Sequence, residues 1–192
     1  MTKSIPRLNA GCATWLLVSA LTSLVQAADR TEHYEVSGMS AGELRESMNR
    51  RRPRGLDGRR HDAFTSWEIR WRYRTEGSRS GCAIESFRVS LDIETTVPEW
   101  INEADAPSSL VARWREFLTA LLVHEDGHKT IALTAAAAIR DAGTTVPSQR
   151  NCAEARRAAE RAASGLLDQY LQMEREYDAE TEHGLTQGAR FP

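Results

Sequence analysis

The sequence predicts an α+β fold in which a β-hairpin, part of a small sheet, packs on two long antiparallel helices. Residues 65–73 and 87–94 alternate between apolar and charged side chains, and this period of two predicts two strands with one buried face. Residues 109–142 and 151–176 repeat apolar side chains at helical spacing, which predicts two long helices. The first of these helices carries the two histidines and the glutamate around which the predicted site is built.

Length and composition indicate one globular domain. The chain has 192 residues, of which 41% are hydrophobic and 27% charged, and this is enough for a single sizeable core. Its net charge is −2, and removal of the predicted leader would take away Lys3 and Arg7 and leave 23 basic against 27 acidic residues. A mature chain of net negative charge argues against a general nucleic-acid binder. The sequence contains no repeat, and it does not indicate an oligomeric state.

The first 27 residues are predicted to be a signal peptide. Lys3 and Arg7 give a basic start, residues 12–25 are mainly apolar, and Val25-Gln26-Ala27 has small side chains at the cleavage positions. The apolar run is shorter than the roughly 20 residues that a membrane span needs, so no stable span is expected. The prediction is therefore an exported protein, periplasmic or secreted, whose residues 28–192 form a single domain.

Two cysteines, Cys82 and Cys152, remain after cleavage of the leader. An exported protein with one cysteine pair most often joins it, because the compartment is oxidising. Neither residue has the close partner that a cysteine metal site would require. The sequence therefore predicts a structural disulfide, which would stabilise the fold by about 4 kcal/mol in the chain-entropy model.

The segment before the hairpin contains a short strand, a helix and a basic loop. Residues 33–36 predict the strand, and Ser40 with Glu43 three residues later forms a capping box that begins the helix. Residues 50–60 then combine six arginines with Pro53 and two glycines, a composition typical of an exposed turn. We interpret this turn as a solvated loop; contact with anionic envelope polymers or lipid headgroups is the alternative.

The hairpin has one apolar and one charged face. The apolar face is expected to be a core face, and it consists of Thr65, Trp67, Ile69, Trp71 and Tyr73 on one strand and Phe87, Val89, Leu91 and Ile93 on the other. Pro98-Glu99-Trp100 ends the sheet. The first long helix ends at Gly143 and the second runs from about Asn151 to Glu176. Their many alanines predict close packing of the two, and residues 182–192 are expected to be irregular.

His124, Glu125 and His128 form a His-Glu-x-x-His motif in the middle of the first long helix. Residues four apart lie on the same face of a helix, so both imidazoles can bind one metal ion while Glu125 reaches a water on that ion. The two histidines also share the buried side of the helix. A Zn²⁺ site on a zincin-like helix is the preferred interpretation, and a pair of hydrogen-bonded histidines at the edge of the core is the alternative.

A catalytic zinc site needs a third protein ligand, for which the residues leave several candidates. If the two helices form a straight hairpin, the residue level with the motif is near Asp168, and His183 lies about 22 Å farther along. His183 can reach the metal only if the chain turns back after Tyr177. His33 and His61 are weaker candidates.

The chain resembles a bacterial family of predicted secreted zinc-dependent proteases, catalogued as a domain of unknown function. The matching elements are Cys82, Pro98-Glu99-Trp100, the His-Glu-x-Gly-His of residues 124–128, and a tail motif formed by Tyr177, Asp178, Thr181, His183 and Gly184. The resemblance implies a zinc site and favours His183 as the third ligand, because a histidine beside a glycine in a polar tail has no core role. Asp168 and Asp178 remain rivals, and Asp178 could instead orient a ligand imidazole.

The expected function is an exported zinc-dependent hydrolase, most simply a peptidase, acting on a peptide or protein of the cell envelope. His124, His128 and His183 would bind zinc, and Glu125 would act as general base on the zinc-bound water. Tyr177 or Tyr170 would stabilise the oxyanion, and an edge strand of the hairpin would bind extended peptide. The alternatives are a zinc hydrolase of peptidoglycan amide bonds or cross-links, and a non-catalytic metal-binding envelope protein.

Overall fold

The computed structural model describes residues 25–55 and 58–192, so most of the predicted signal peptide lies outside the described residues. The elements in chain order are β1 (Gln26–Val36), α1 (Ala41–Arg51), β2 (Phe64–Ser78), β3 (Gly81–Trp100), α2 (Ser108–Thr144) and α3 (Cys152–Thr181), with 3₁₀ turns at Glu103–Asp105 and Leu185–Gln187. A small sheet and three helices make up the fold, so the predicted α+β class is confirmed.

The three strands form one sheet in the order β1-β3-β2. β2 and β3 pair antiparallel as the predicted hairpin, whereas β1 runs parallel to β3 from Gln26 opposite Ser90 to Val36 opposite Trp100. β1 is longer than predicted, because most of its side chains are exposed and the strand therefore lacks an alternating pattern. β2 pairs only with β3 among the described residues, so its other edge is open to a partner.

The predicted apolar face of the hairpin is confirmed as a core face. Phe87, Val89, Leu91 and Ile93 are buried against a set of alanines on the two long helices: Ala132, Ala135, Ala136, Ala159 and Ala163. Because alanine has only a methyl side chain, the helix backbones lie close to each other and to the sheet. The sheet and α3 therefore hold the middle of α2 in a fixed position.

A second core cluster joins α1, the end of the sheet, the first half of α2 and the C-terminal tail. The ring of Trp114 contacts the rings of Trp100, Phe117 and Phe191, with centroids 5.8, 5.5 and 5.3 Å apart. Phe191 is buried in this cluster, whereas the sequence predicts only an irregular segment for residues 182–192. The tail is thus packed against the body of the domain.

The predicted disulfide is present between Cys82 and Cys152, with an S–S distance of 2.08 Å and a Cα–Cα distance of 4.9 Å. It ties the start of β3 to the start of α3. Two backbone hydrogen bonds of 2.8 Å between Cys82 and Gln149 support the same junction. The connection between the long helices is therefore fastened to the sheet.

The chain reverses direction directly after α3. The helix continues to Thr181, past the predicted end at Glu176, and Glu182, His183 and Gly184 then adopt left-handed backbone angles with φ of 49°, 54° and 85°. Left-handed angles cost a non-glycine residue about 1–2 kcal/mol, so packing must hold Glu182 and His183 in place. A Cβ on Gly184 would lie 3.1 Å from Cγ of His124, which shows how closely the returning tail passes α2.

Within the described residues, no helix combines the length and the apolar character that a membrane crossing requires.

Candidate metal centre

The middle of α2 presents His124, Glu125 and His128 to the interior. Their exposed fractions are 3%, 3% and 6%, which is unusual for three ionisable side chains on one helical turn. The hydrophobic stripe of α2 turns these positions inward, because they share its buried side. Buried polar groups of this kind need partners, and the partners come from α3, β2 and the tail.

Three donor atoms converge in front of α2. The Nε2 atoms of His124 and His128 are 3.3 Å apart, and Oδ1 of Asp178 on α3 lies 3.3 Å from the first and 3.2 Å from the second. Among the described residues, these three form the group of histidine, cysteine and carboxylate side chains that could hold a metal ion. The donor atoms thus form a nearly equilateral triangle.

The size of this triangle fits a tetrahedral zinc site. Zinc binds histidine nitrogen and carboxylate oxygen at about 2.0–2.2 Å, and a tetrahedron of that size has edges of about 3.3–3.6 Å. Two of the observed edges, of 3.3 Å, lie at the lower end of this range, and the third, of 3.2 Å, lies just below it. Two imidazoles and one carboxylate are also a donor set that zinc prefers, and they leave a fourth position open.

His128 is oriented by a chain of two further side chains. Its Nδ1 lies 2.5 Å from Oε2 of Glu174, and Oε1 of Glu174 accepts a 2.9 Å hydrogen bond from the indole of Trp67 on β2. A carboxylate at Nδ1 favours the tautomer in which that nitrogen carries the hydrogen and Nε2 presents a lone pair. The contact to the sheet therefore leaves Nε2 of His128 available to a metal.

His124 is oriented by the tail. Its Nδ1 lies 3.0 Å from Oε1 of Gln187, whose Nε2 donates to the hydroxyl of Tyr177 at 3.1 Å. That hydroxyl in turn donates to the backbone carbonyl of His124 at 3.2 Å. These directions agree with one another and assign the hydrogen of His124 to Nδ1, which again leaves Nε2 for a metal.

Tyr177 packs between the two histidines and the backbone of α2. Its ring is stacked on that of His124 with centroids 5.1 Å apart, and it meets the ring of His128 edge-on at 5.0 Å. A Cβ on Gly127 would lie 2.1 Å from the Tyr177 hydroxyl, so only glycine leaves room for the tyrosine. This contact explains the glycine within the His-Glu-x-Gly-His motif.

Glu125 is held by the sheet. Thr65 on β2 donates a 2.6 Å hydrogen bond to Oε2 of Glu125, and the Thr65 hydroxyl also lies 3.1 Å from that of Thr95 on β3. Burial raises the pKa of Glu125 above its ordinary value, although the Thr65 hydrogen bond and the nearby histidines oppose this shift. A carboxylate with a raised pKa beside a metal site suits general base chemistry.

His128 and Asp178 shift each other's pKa in opposite directions. Burial lowers the pKa of His128, but hydrogen bonds to Asp178 and Glu174 outweigh this effect and raise the pKa to about 10. Burial alone would raise the pKa of Asp178, yet its close contacts with His124 and with the protonated ring of His128 hold that pKa well below its usual range. Without a metal, the cluster therefore retains a proton that a cation would displace.

The other predicted ligands lie outside the donor triangle. His183 is 44% exposed, and its Nδ1 is 3.2 Å from Oδ1 of Asp178, so it contacts a donor residue without belonging to the group. Asp168 is exposed on α3, and the acidic residues of that helix that contact His128 are Glu174 and Asp178. His33 is exposed on β1, and the ring of His61 lies against that of His183 at 4.9 Å.

Tyr177 and Tyr170, the residues predicted to stabilise an oxyanion, make other contacts in the structure. The hydroxyl of Tyr177 is engaged with the His124 carbonyl and with Gln187. Tyr170 packs on the hydrophobic cluster between sheet and helices. Neither tyrosine is among the residues that line the cavity, so Tyr177 has the contacts of a positioning residue.

A cavity of about 770 Å³ opens in front of the donor group. Residues 64–67 at the start of β2 form one wall, α2 and α3 form two others, and the loop before β2 forms the rim. Apolar side chains dominate near the donors, among them Phe64, Leu121, Leu171 and Leu185. The open edge of β2 thus runs along a cavity that contains the donor group.

Sequence reasoning missed Thr65, Trp67, Glu174 and Gln187 as parts of the site. A signal existed for α3, since Glu174, Tyr177, Asp178 and Thr181 follow the i, i+3, i+4, i+7 spacing of one helical face. Because α3 is predicted to pack against α2, a polar face on α3 predicts contacts to His124 and His128. Gln187 offered no comparable signal, because its contact depends on the tail reversal.

A family model described as "Bacterial protein of unknown function (DUF922)" matches residues 31–184 of the chain. The matched segment contains His124, Glu125, His128 and Asp178. No curated protein and no solved structure matches the chain.

Proposed function

The chain belongs to this DUF922 family, and we propose that it is an exported zinc-dependent hydrolase that cleaves peptide bonds. The observation that carries the proposal is the donor triangle of His124, His128 and Asp178 with the buried carboxylate of Glu125 beside it. The triangle has the dimensions of a zinc site, and Glu125 has the position and raised pKa of a general base.

The roles of the side chains follow from their contacts. His124 and His128 would bind zinc through Nε2 and Asp178 through Oδ1, while Glu174 and Gln187 hold the opposite nitrogens of the two rings. When bound, zinc supplies Lewis acidity and lowers the pKa of water at the open position. Glu125 accepts a proton from the attacking water and returns it to the leaving amine. Thr65 keeps the Glu125 carboxylate in place through its 2.6 Å hydrogen bond.

An open three-donor site favours catalysis over a structural role. Structural zinc sites are usually closed by four protein ligands, whereas catalytic sites keep a position for water or substrate. The donor group here contains three residues and faces a cavity of about 770 Å³. A non-catalytic metal-binding protein would need neither this cavity nor a buried carboxylate beside the metal.

The open edge of β2 supports a peptide substrate. Residues 64–67 of β2 line the cavity, and the strand has one partner, β3, among the described residues. An extended peptide can add to such an edge through backbone hydrogen bonds, which would draw its scissile bond across the donor group. The Cys82–Cys152 disulfide agrees with an oxidising compartment, which supports export.

The test is metal content and peptide cleavage by the mature protein, residues 28–192, with and without a chelator. Glu125→Gln should retain zinc and abolish cleavage, because the amide cannot take up the proton. Glu116→Gln, at an exposed position of the same helix, is the matched control and should leave both unchanged. Zinc binding with no cleavage of any peptide in a broad library by the wild type would overturn the peptidase proposal and favour a non-catalytic role.

A further inference from the structure

The cavity in front of the donor group carries opposite charges on different parts of its wall. Glu125, Glu174 and Asp178 lie at the metal end, where a divalent cation would balance them. The loop between α1 and β2 contributes a set of arginines, Arg52, Arg59 and Arg60, and α3 contributes Arg175. A bound metal would therefore leave the loop side of the cavity positively charged.

Asp62 in this loop pairs with two guanidinium groups, those of Arg45 on α1 and of Arg52. Nη1 of Arg45 lies 2.8 Å from one oxygen of Asp62 and 2.9 Å from the other, and Nη1 of Arg52 lies 3.2 Å from the first. The side chains of Arg52 and Asp62 are 27% and 18% exposed, so solvent screens this excess positive charge only in part. Nε of Arg52 is buried and has no hydrogen-bond partner among the described residues.

Backbone contacts fix the cations of the loop in place. Nη1 of Arg60 donates to the carbonyl of Arg52 at 2.6 Å, and the amide of His61 donates to the carbonyl of Pro53 at 3.1 Å. The ring of His61 then contacts that of His183, which is 3.2 Å from Asp178. A continuous wall therefore connects the basic loop to the donor group.

We propose that the cavity selects peptides that carry an aspartate or glutamate within a few residues of the scissile bond, and that Arg60 and Arg175 recognise this carboxylate. Apolar side chains between the two regions, Ala63, Phe64 and Leu185, would accept the apolar part of the same peptide. The prediction of preferential cleavage rests on the proposed function, whereas the prediction of preferential binding does not. Arg60 and Arg175 are exposed at the cavity wall, where positive charge favours a complementary carboxylate and raises its rate of encounter.

The experiment compares peptides that differ only in charge. Each set consists of three peptides that share one apolar sequence and carry Glu, Gln or Lys at the same position. In successive sets, this position is moved one residue along the sequence. Binding is measured with the zinc-loaded Glu125→Gln protein by the fluorescence of Trp67 and the other tryptophans, and cleavage with the zinc-loaded wild type. In at least one register, the Glu peptide should bind about three- to tenfold more tightly than the Gln peptide, and the Lys peptide more weakly than both.

Charge variants connect this preference to the arginines. Arg60→Gln and Arg175→Gln should each reduce it, and Arg60→Glu should shift it toward the Lys peptide. Arg161→Gln, at an exposed position of α3 outside the cavity wall, should leave it unchanged. Preference for Glu in binding without cleavage would support the inference and contradict the peptidase. The inference would be overturned if peptides are bound or cleaved without preference for Glu, or if no peptide binds. It would also be overturned if the preference for Glu is unchanged in both Gln variants.

Discussion

The hydroxyl of Tyr177 occupies the space that a side chain at position 127 would need, since a Cβ on Gly127 would lie 2.1 Å from it. The same hydroxyl contacts the carbonyl of His124 and the amide of Gln187. Tyr177 thus links α2, α3 and the tail. The donor triangle depends on this contact because Tyr177 directly precedes Asp178.

Gly127→Ala should therefore weaken zinc binding and destabilise the fold. The added methyl group must displace Tyr177, which moves Asp178 and frees the Gln187 contact to His124. Gly165→Ala is the matched control: Gly165 also lies within a helix, and a Cβ there meets nothing within 4 Å. That control should be neutral or should stabilise by up to about 1 kcal/mol. Equal zinc dissociation constants and melting temperatures for the two variants would contradict the role of Tyr177.

Glu174→Gln should lower zinc affinity by about 10- to 100-fold, the usual effect of removing a carboxylate that orients a ligand histidine. The amide can no longer hold Nδ1 of His128 as a charged acceptor, although it keeps the size of the side chain. Zinc competition with a chromophoric chelator gives the affinity. Glu180→Gln, at an exposed position on α3, serves as the control, and an identical affinity in both variants would exclude the Trp67–Glu174–His128 chain as a support of the site.

Thr65→Val should raise the pKa of Glu125 further. The hydrogen bond from Thr65 stabilises the charged carboxylate and so lowers its pKa, and valine keeps the shape of threonine without the donor. If Glu125 is the general base, the acidic limb of the pH profile of kcat/KM should move to higher pH. Thr134→Val, whose hydroxyl donates to the Thr130 carbonyl on the exposed side of α2, should not move it. An unshifted limb in Thr65→Val would contradict the assignment of Glu125.

Zinc binding at neutral pH should release about one proton per ion, because the metal displaces the proton that the metal-free cluster retains on His128. The folded pKa of His128 is raised from 6.5 to about 10, so its contribution to stability is complete below pH 6.5 and is lost as the pH rises toward 10. Chelator-treated protein should thus lose free energy of unfolding over this window, while zinc affinity increases. Calorimetry in buffers of different ionisation enthalpy measures the proton release, and a value of zero would contradict the coupling.

Short-range patterns made much of the fold and part of the site predictable. The hairpin and the long helices follow from periods of 2 and 3.6, and His124, Glu125 and His128 from spacing on one helix. These features depend on residues close in the chain. The local sequence therefore contains the information they need.

The rest of the site depends on how distant segments meet. Asp168 would lie level with the motif if the two helices formed a straight hairpin, but in the structure Glu174 and Asp178, farther along α3, contact His128. His183 could be a ligand only if the chain turns back after Tyr177, and the tail does turn back near Gly184. It brings Gln187, and not His183, to His124. Packing of the whole domain decides these contacts.

The most direct test of the central claim is the zinc dissociation constant of Asp178→Ala beside those of His183→Ala and His128→Ala. If His124, His128 and Asp178 hold the metal, Asp178→Ala and His128→Ala should each lose affinity by about 100-fold or more, and His183→Ala should lose clearly less than either, because His183 is 44% exposed and contacts only Asp178 of the three donors. Loss of zinc in His183→Ala with retention in Asp178→Ala would contradict the donor triangle.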